Sequence, residues 1–219
     1  MEVNAKGQTL TAFLEAYDPS GFPPVFVTAD AAVLDCRKDG LYVLLIRRGN
    51  HPYIHRWAMP GGFVEQNESP AEAAARELRE ETGLQNVPLR QCGAFGEPDR
   101  DPRARIVTVG HWGLLPKGAD PVRAGDDAAG ADWFRIGLTA EEGQTQRTLR
   151  LTLQSETVTL TGAVVQQRDS LGWYTLPKQT DSALAADHDQ VLVQALLGLR
   201  RCVKEPQLQD WLAALGEEA

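Results

Sequence analysis

The sequence predicts a protein of the α/β class, with α+β as the alternative, from three observations. Two apolar, strand-like runs at 25–36 and 41–49 are separated by RKDG, a turn signal, which predicts a β-hairpin. A helix with start and stop signals follows at 70–82. Further strand-like segments then precede an amphipathic helix near the end. Strands interspersed with helices predict a sheet covered by helices.

The later strands are predicted from short apolar runs between turn signals. They are expected at 90–96, 105–115 and 131–136, separated by the polar loops 97–104 and 116–130. The stretch NHPYIHRWAMPGG between the first hairpin and the helix is expected to be loop.

Residues 142–180 are expected to be an insertion that carries an extra β-hairpin. Within TLRLTLQSETVTLTGAVVQ, polar and apolar residues alternate, so that Leu149, Leu151 and Leu153 face one way before a QSET turn. The segment could be a lid, a dimer element or a decorated sheet edge. The sequence leaves that choice open.

The C-terminal region predicts two helices at about 187–215. The first is capped near Asp187 and carries an apolar stripe. This stripe consists of Leu192, Ala195, Leu196 and Leu199. A short helix around PQLQDWLAAL follows. We expect a single domain over 1–219, with a core at about 25–140.

Charge and cysteine content restrict the function classes. The net charge is −8, which argues against non-specific nucleic-acid binding, since that depends on Lys and Arg contacts to phosphate. Cys36, Cys92 and Cys202 are widely spaced and odd in number, as expected of a reducing cytoplasm. No apolar run reaches membrane-span length, and the N-terminus lacks a signal-peptide pattern. We expect a cytoplasmic protein that binds neither membrane nor nucleic acid.

The helix at 70–82 has an unusual concentration of carboxylates. Ser69 and Glu72 form a capping box, and Gly83 is placed where a helix ends. Glu77, Glu80 and Glu81 have i, i+3, i+4 spacing and share one face, where like charges repel. The face is either solvated, or it binds a hard divalent cation such as Mg²⁺, which prefers oxygen ligands.

The spacing around this helix favours the second interpretation. Gly62, five residues, Glu68, seven residues and then the run RELxEExGL resemble the Nudix box at each of its nine defined positions. A chance match has a probability on the order of 10⁻¹⁰ per start point. The chain therefore resembles the Nudix hydrolases.

The resemblance implies a Nudix fold, an α/β/α sandwich with a mixed β-sheet, and a hydrolase that uses Mg²⁺ or Mn²⁺. In the family, residues matching Glu77, Glu80 and Glu81 bind the metal, together with the backbone carbonyl matching Gly61. Arg76 orients these glutamates through charge-assisted hydrogen bonds, and Glu68 supports it from the loop.

The catalytic base varies within the family, so two candidates stay open. One is Glu80 in the box itself. The other is an acid on a later loop, where GDDAAGADWF offers Asp126 and Asp127, with Asp127 preferred. The alternative interpretation of these aspartates is a solvated turn.

Cationic and aromatic residues are candidates for substrate binding. Arg103 and Arg105 in DRDPRAR, and Arg47 at a strand end, suit phosphate or ribose oxygens. Trp57 and Phe95 could stack on a base, although aromatic residues are more often core. Arg100 is expected to pair at the surface with neighbouring aspartates.

The flanking segments are similar to a bacterial branch that contains ADP-ribose pyrophosphatases and Nudix-related transcriptional regulators. This similarity implies cleavage of ADP-ribose to AMP and ribose 5-phosphate, and it allows a homodimer. Two alternatives stay open: hydrolysis of free nucleoside di- or triphosphates, and a non-catalytic sensor of ADP-ribose. The intact box and the short acidic tail after Arg200 favour an enzyme over a DNA-binding regulator.

Overall fold

The computed structural model describes residues 2–119, 121–122, 128–177, 182 and 184–216. Its helices are α1 (Leu10–Ala16), α2 (Pro70–Thr82), α3 (His188–Cys202) and α4 (Pro206–Trp211), with 3₁₀ turns at Pro19–Gly21 and Ala213–Leu215. Its strands are β1 (Phe26–Arg37), β2 (Gly40–Arg48), β3 (Trp57–Ala58), β4 (Gly61–Phe63), β5 (Arg90–Phe95), β6 (Ile106–Leu114), β7 (Ala128–Glu142), β8 (Gln146–Gln154), β9 (Thr159–Asp169) and β10 (Gly172–Thr175).

The strands form one mixed sheet in the order β10-β9-β8-β7-β2-β1-β6-β5. The β1–β6 pair is parallel and the other pairs are antiparallel. The two short strands β3 and β4 pair with β2 and β1. This confirms the predicted mixed sheet and the first hairpin.

Helices cover both faces of the sheet, because successive β1 residues point to opposite sides. Ala31 and Val33 pack in one core cluster with Ala74 of α2. Ala32 and Leu34 pack in another that contains the apolar stripe of α3. The α/β/α sandwich is therefore confirmed. Small residues on β1 and α2 allow helix and sheet to approach closely.

The predicted inserted hairpin is larger than expected and belongs to the sheet. β7 runs through residue 142 rather than ending near 136, and three strands, β8, β9 and β10, extend the sheet beyond it. Leu149, Leu151 and Leu153 are almost fully buried in the same cluster as α3. The predicted alternation of polar and apolar residues in β8 is therefore confirmed. β10 was not predicted, because it is short and half-exposed and has no strong hydrophobic pattern.

The segment predicted as loop, NHPYIHRWAMPGG, contains β3 and part of β4, which corrects the prediction. β3 has two residues and β4 has three. Elements this short carry no period of their own. They form because the edges of β2 and β1 offer free backbone groups in this part of the sheet.

α1 buries none of its residues and exposes Leu10, Phe13 and Leu14, and Tyr17, which follows the helix, is exposed as well. The expected homodimer stays a prediction.

None of the helices in the described part of the chain has the length and apolar character of a membrane span.

Truncating a leucine of the sheet extension tests whether it belongs to the cooperative core. Leu151→Ala should lower the free energy of unfolding by about 2–5 kcal/mol, because Leu151 is 1% exposed. Leu171→Ala is the matched control, since Leu171 is 92% exposed; it should change stability by less than about 0.5 kcal/mol. Urea unfolding measures both. Equal, small changes would contradict an integral extension.

Candidate active site

Local signals place the acidic helix as the sequence predicts. The Ser69 side chain accepts from the Glu72 N–H, and the Glu72 carboxylate accepts from the Ser69 N–H, which forms the capping box. Gly83 ends the helix in the left-handed conformation, with φ of 74°. Ala73, Ala74 and Leu78 are buried against the sheet, and their i+3 and i+4 neighbours Glu77 and Glu81 lie on the same side of the helix. This packing fixes which way the glutamates point.

Arg76 joins α2 to the loop before it. Its guanidinium donates to both oxygens of Glu68 (2.7 and 3.1 Å), to Glu77 Oε1 (2.7 Å), to Glu80 Oε2 (3.2 Å) and to the Phe63 carbonyl (3.0 Å). The hydrogen bonds to Glu68 are the main reason that the pKa of Arg76 is raised. The same hydrogen bonds hold the pKa of Glu68 below its usual value. Arg76 thus positions the glutamates, as the resemblance implies.

Two adjacent glycines bring β4 against the acidic face. A Cβ added at Gly62 would lie 2.3 Å from Glu77 Oε1. At Gly61 it would lie 2.3 Å from Asp30 Oδ1 and 2.5 Å from the Ala29 carbonyl oxygen. Neither position accommodates a side chain, so the backbone of Gly61 and Gly62 passes directly over the carboxylates.

Glu81 is the inner carboxylate of the site. Its Oε2 accepts from the Gly61 N–H at 2.9 Å. Burial raises the pKa of Glu81 to about 8; the Gly61 hydrogen bond opposes this, and the charges of Glu77 and Asp30 add to it. Burial also raises the pKa of Glu77. Two carboxyl groups are therefore held where water is scarce, and their charged forms are unfavourable without a cation.

Glu80 lies apart from these two residues. Its side chain is 50% exposed, against 17% for Glu77, and it pairs with Arg76 and Arg79. The three glutamates share a helix, but only Glu77 and Glu81 turn towards β4. Within the described ranges, no three His, Cys, Asp or Glu side chains form a ready-made ligand set.

The donor set nevertheless fits a hard divalent cation. Glu77 and Glu81 offer carboxylate oxygens beside the glycine backbone of β4, and Mg²⁺ or Mn²⁺ prefers oxygen ligands. Mg²⁺ commonly takes only one or two protein carboxylates and completes its shell with water and substrate phosphates. An incomplete protein ligand set is therefore what such a site requires.

A buried polar network that the sequence reasoning missed lies behind the glycines. Asp30 of β1 accepts from the Thr108 hydroxyl at 2.5 Å and lies 3.8 Å from His188 Nε2. The Met59 N–H donates to His188 Nδ1 at 2.9 Å, so His188 supports the chain just before Gly61. Burial lowers the pKa of His188, which keeps the ring neutral. An aspartate inside an apolar strand was the available signal.

A cleft opens over Glu81 and contains part of the predicted substrate-binding set. Its lining includes Arg48, Tyr53, Phe63, Glu81 and Arg103. The guanidinium of Arg103 donates to Asp101 and lies 5.1 Å above the Phe63 ring. Asp101 and Phe63 therefore hold the Arg103 guanidinium in the cleft that Glu81 also lines.

The other predicted substrate-binding residues lie elsewhere. Arg47 and Trp57 line a second cleft, described below. Phe95 packs against the core cluster under α3. Arg105 is exposed just before β6, and its carbonyl accepts from the Phe26 N–H. Asp126 and Asp127, the loop candidates for the base, lie outside the described residues.

Arg100 corrects one expectation. It does not pair at the surface with neighbouring aspartates but is buried, and it forms a two-pronged ion pair with Asp187, with the shortest distance 2.6 Å. The expected structural role is right, but the partner is 87 positions away in the chain. The pair ties the loop after β5 to the start of α3, at the rim of the cleft.

Comparisons with known proteins identify the family of this chain. Residues 25–152 match the family profile described as NUDIX domain, which is more than half of the chain. A crystal structure of a MutT/nudix family protein from Enterococcus faecalis has a TM-score of 0.67 and 32% identity, covering 96% of this chain and 76% of that chain.

Two curated relatives match slightly less than half of this chain. The ADPR responsive transcriptional repressor NtrR of Acinetobacter baylyi is 40% identical over 106 residues, 48% of this chain and 42% of that protein. The ADP-ribose pyrophosphatase of Methanocaldococcus jannaschii is 41% identical over 94 residues, 43% of this chain and 54% of that protein. The chain spans about half the length of these curated relatives.

The raised pKa of Glu81 predicts a pH-dependent stability of the metal-free protein. Its folded pKa is about 8, well above the unfolded value of about 4.3. Between these values the folded state binds the extra proton, so stability is greatest below about pH 4 and falls as the pH rises through about 8. Glu81→Gln should remove this decline and be more stable at pH 9, by on the order of a few kcal/mol.

Urea unfolding at pH 5, 7 and 9 in EDTA tests this, with Glu156→Gln as an exposed control that keeps the wild-type slope. Adding Mg²⁺ at pH 9 should stabilise the wild type but not Glu81→Gln. Parallel pH profiles of stability for the wild type and Glu81→Gln would contradict the raised pKa of Glu81.

Proposed function

This chain belongs to the Nudix family, and we propose that it hydrolyses the pyrophosphate bond of a nucleoside diphosphate derivative. ADP-ribose is the leading substrate, with AMP and ribose 5-phosphate as products. The observation that carries the proposal is the pair Glu77 and Glu81, set against the glycine backbone of β4, with Glu81 in the lining of a cleft that also contains Arg48 and Arg103.

The cofactor in this proposal is Mg²⁺ or Mn²⁺. The Glu77 and Glu81 carboxylates and the Gly61 carbonyl would hold it, and Glu80 is the outer candidate ligand. When bound, such an ion neutralises phosphate charge and lowers the pKa of a bound water. Arg76 keeps Glu77 oriented, since it holds one carboxylate oxygen and leaves the other for a ligand.

The remaining steps fall to side chains of the chain itself. Water adds to one phosphorus of the anhydride, the bridging P–O bond breaks, and the proton of the water passes to a carboxylate. We assign that carboxylate to Glu80, whose exposed side chain can reach solvent, with Asp127 as the competing assignment. Arg103 and Arg48 would pair with substrate phosphates, and Arg105 would add charge from the start of β6.

ADP-ribose is favoured because the two curated relatives share it in their names, one as a pyrophosphatase and one as an ADPR responsive repressor. The repressor also favours a second candidate, a protein that binds ADP-ribose without cleaving it. Free nucleoside di- and triphosphates are the alternative substrates, since the acidic helix alone does not select the group beyond the diphosphate.

A substrate panel tests the proposal. The protein is incubated with ADP-ribose, NADH, ADP, ATP and dNTPs in Mg²⁺ or Mn²⁺, and products are identified by mass. AMP plus ribose 5-phosphate, formed fastest from ADP-ribose, is the expected result. Preferential cleavage of free nucleotides would overturn the substrate. Tight binding of ADP-ribose without cleavage would establish the sensor instead.

Removing one inner carboxylate should abolish turnover without unfolding the protein. Glu81→Gln should lower kcat by at least about a thousandfold, because the substitution removes a metal ligand. Glu156→Gln, at an exposed position between β8 and β9 and outside the lining of the cleft over Glu81, should keep kcat within about twofold. Circular dichroism checks the fold of both. Full activity of Glu81→Gln would contradict the proposed metal site.

A further inference from the structure

A second cleft lies on the other face of β2 from the candidate active site. Successive strand residues point to opposite sides: Ile46 and Arg48 line the cleft over Glu81, whereas Arg47 lines the second one. The sheet extension forms the far wall, through the turn between β8 and β9. The cleft is open and measures about 730 Å³, within the range of small-molecule sites.

The second cleft is cationic in an acidic protein. Arg47, His55 and Arg56 line it, and no Asp or Glu is among its described lining residues. Neither arginine has a carboxylate within ion-pair distance among the described residues. Arg47 Nε donates to the His55 carbonyl at 3.3 Å, and Arg56 donates to the Ser182 carbonyl. Backbone carbonyls therefore hold both side chains in place, and no carboxylate among the described residues neutralises their charges.

The rest of the lining is apolar and hydroxylic. Trp57 is half-buried and held edge-to-face against Phe134, with ring centroids 4.8 Å apart. Val158 and Leu160 add aliphatic surface, and hydroxyls line the cleft as well. These hydroxyls belong to Thr157, Thr161 and Ser182. A rigid indole beside aliphatic groups suits a flat aromatic ring, and hydroxyls with guanidinium groups suit phosphate and sugar oxygens.

We propose that this cleft is a second ligand site, separate from the hydrolytic one, that takes a nucleoside monophosphate. The base would pack against Trp57, and the phosphate would pair with Arg47 and Arg56. An inorganic anion would use only the arginines, and a free nucleoside would use only the apolar wall. A nucleoside monophosphate engages both. The site does not require the chain to be a hydrolase.

The second cleft is connected to the first through one short segment. The Ala185 N–H donates to the Trp57 carbonyl at 2.8 Å, and Ala185 also lines the cleft over Glu81. Arg56 contacts the same segment at Ser182. Ser182 of the second cleft and Ala185 of the first thus lie three positions apart in the chain.

The test is a titration of the full chain with AMP in EDTA, followed by ¹H–¹⁵N NMR. We expect saturable shifts of the Trp57 indole N–H and of the Thr157 and Thr161 amides. The double variant Arg47→Ala/Arg56→Ala should weaken AMP binding at these signals by at least about tenfold. Arg47→Gln alone should weaken AMP binding several-fold. This variant leaves the contact between Arg56 and Ser182 intact, so it controls for a folding defect in the double variant.

Arg135→Ala is the matched control. Arg135 is an exposed arginine of the same sheet that also donates to a backbone carbonyl, that of Asp39. It should keep the AMP affinity within about twofold. Adenosine and inorganic phosphate should each bind at least about tenfold more weakly than AMP. Absent or non-saturable shifts at Trp57, an equal loss in Arg135→Ala, or phosphate binding as tightly as AMP would overturn the proposal.

Discussion

The site depends on one guanidinium. Arg76 binds carboxylates from the loop and from two turns of α2, together with the carbonyl that ends β4. Four glutamates within one small region would otherwise repel one another and leave the loop free to move. Because each hydrogen bond is charge-assisted, the network holds the loop and helix in one arrangement. The repulsion that Glu77 meets beside the other carboxylates is thereby reduced before any ligand binds.

A second constraint is steric, and it explains why two glycines stand together. Gly61 lies against the backbone of β1, and Gly62 lies against Glu77. A side chain at the first would push β4 off the sheet, whereas a side chain at the second would push the carboxylate out of place. Electrostatic and steric constraints therefore act on the same glutamates. Arg76 forms hydrogen bonds with Glu77 and Glu80, and the glycine backbone of β4 packs against Glu77.

Local signals were enough to predict α2 and its caps, since a capping box and a terminal glycine act within a few residues. The i, i+3, i+4 spacing predicts that Glu77, Glu80 and Glu81 share one face of the helix. It does not predict that Glu80 turns outward while Glu77 and Glu81 face β4, which depends on how α2 packs. β3, β4 and β10 were missed because strands of two to four residues are decided by the neighbours they pair with.

The sequence also did not predict which side of the sheet each side chain lies on. Arg47 and Arg48 are adjacent, and only the sheet shows that Arg48 faces the acidic cleft while Arg47 faces the second one. Arg100 illustrates the same limit, since its partner Asp187 is remote in sequence. The sequence likewise predicts the segment after β7 as an insertion, yet its leucines belong to the core cluster under α3 and its turn forms one wall of the second cleft.

The most direct test of the account is the affinity for Mn²⁺, measured by EPR titration of the wild type, Glu77→Gln and Glu80→Gln. We expect Glu77→Gln to weaken Mn²⁺ binding by at least about tenfold, because Glu77 faces the glycine backbone. Glu80→Gln should weaken it by less than about threefold, because Glu80 points outward to solvent. A larger loss in Glu80→Gln than in Glu77→Gln would contradict the inner-pair geometry on which the proposed function depends.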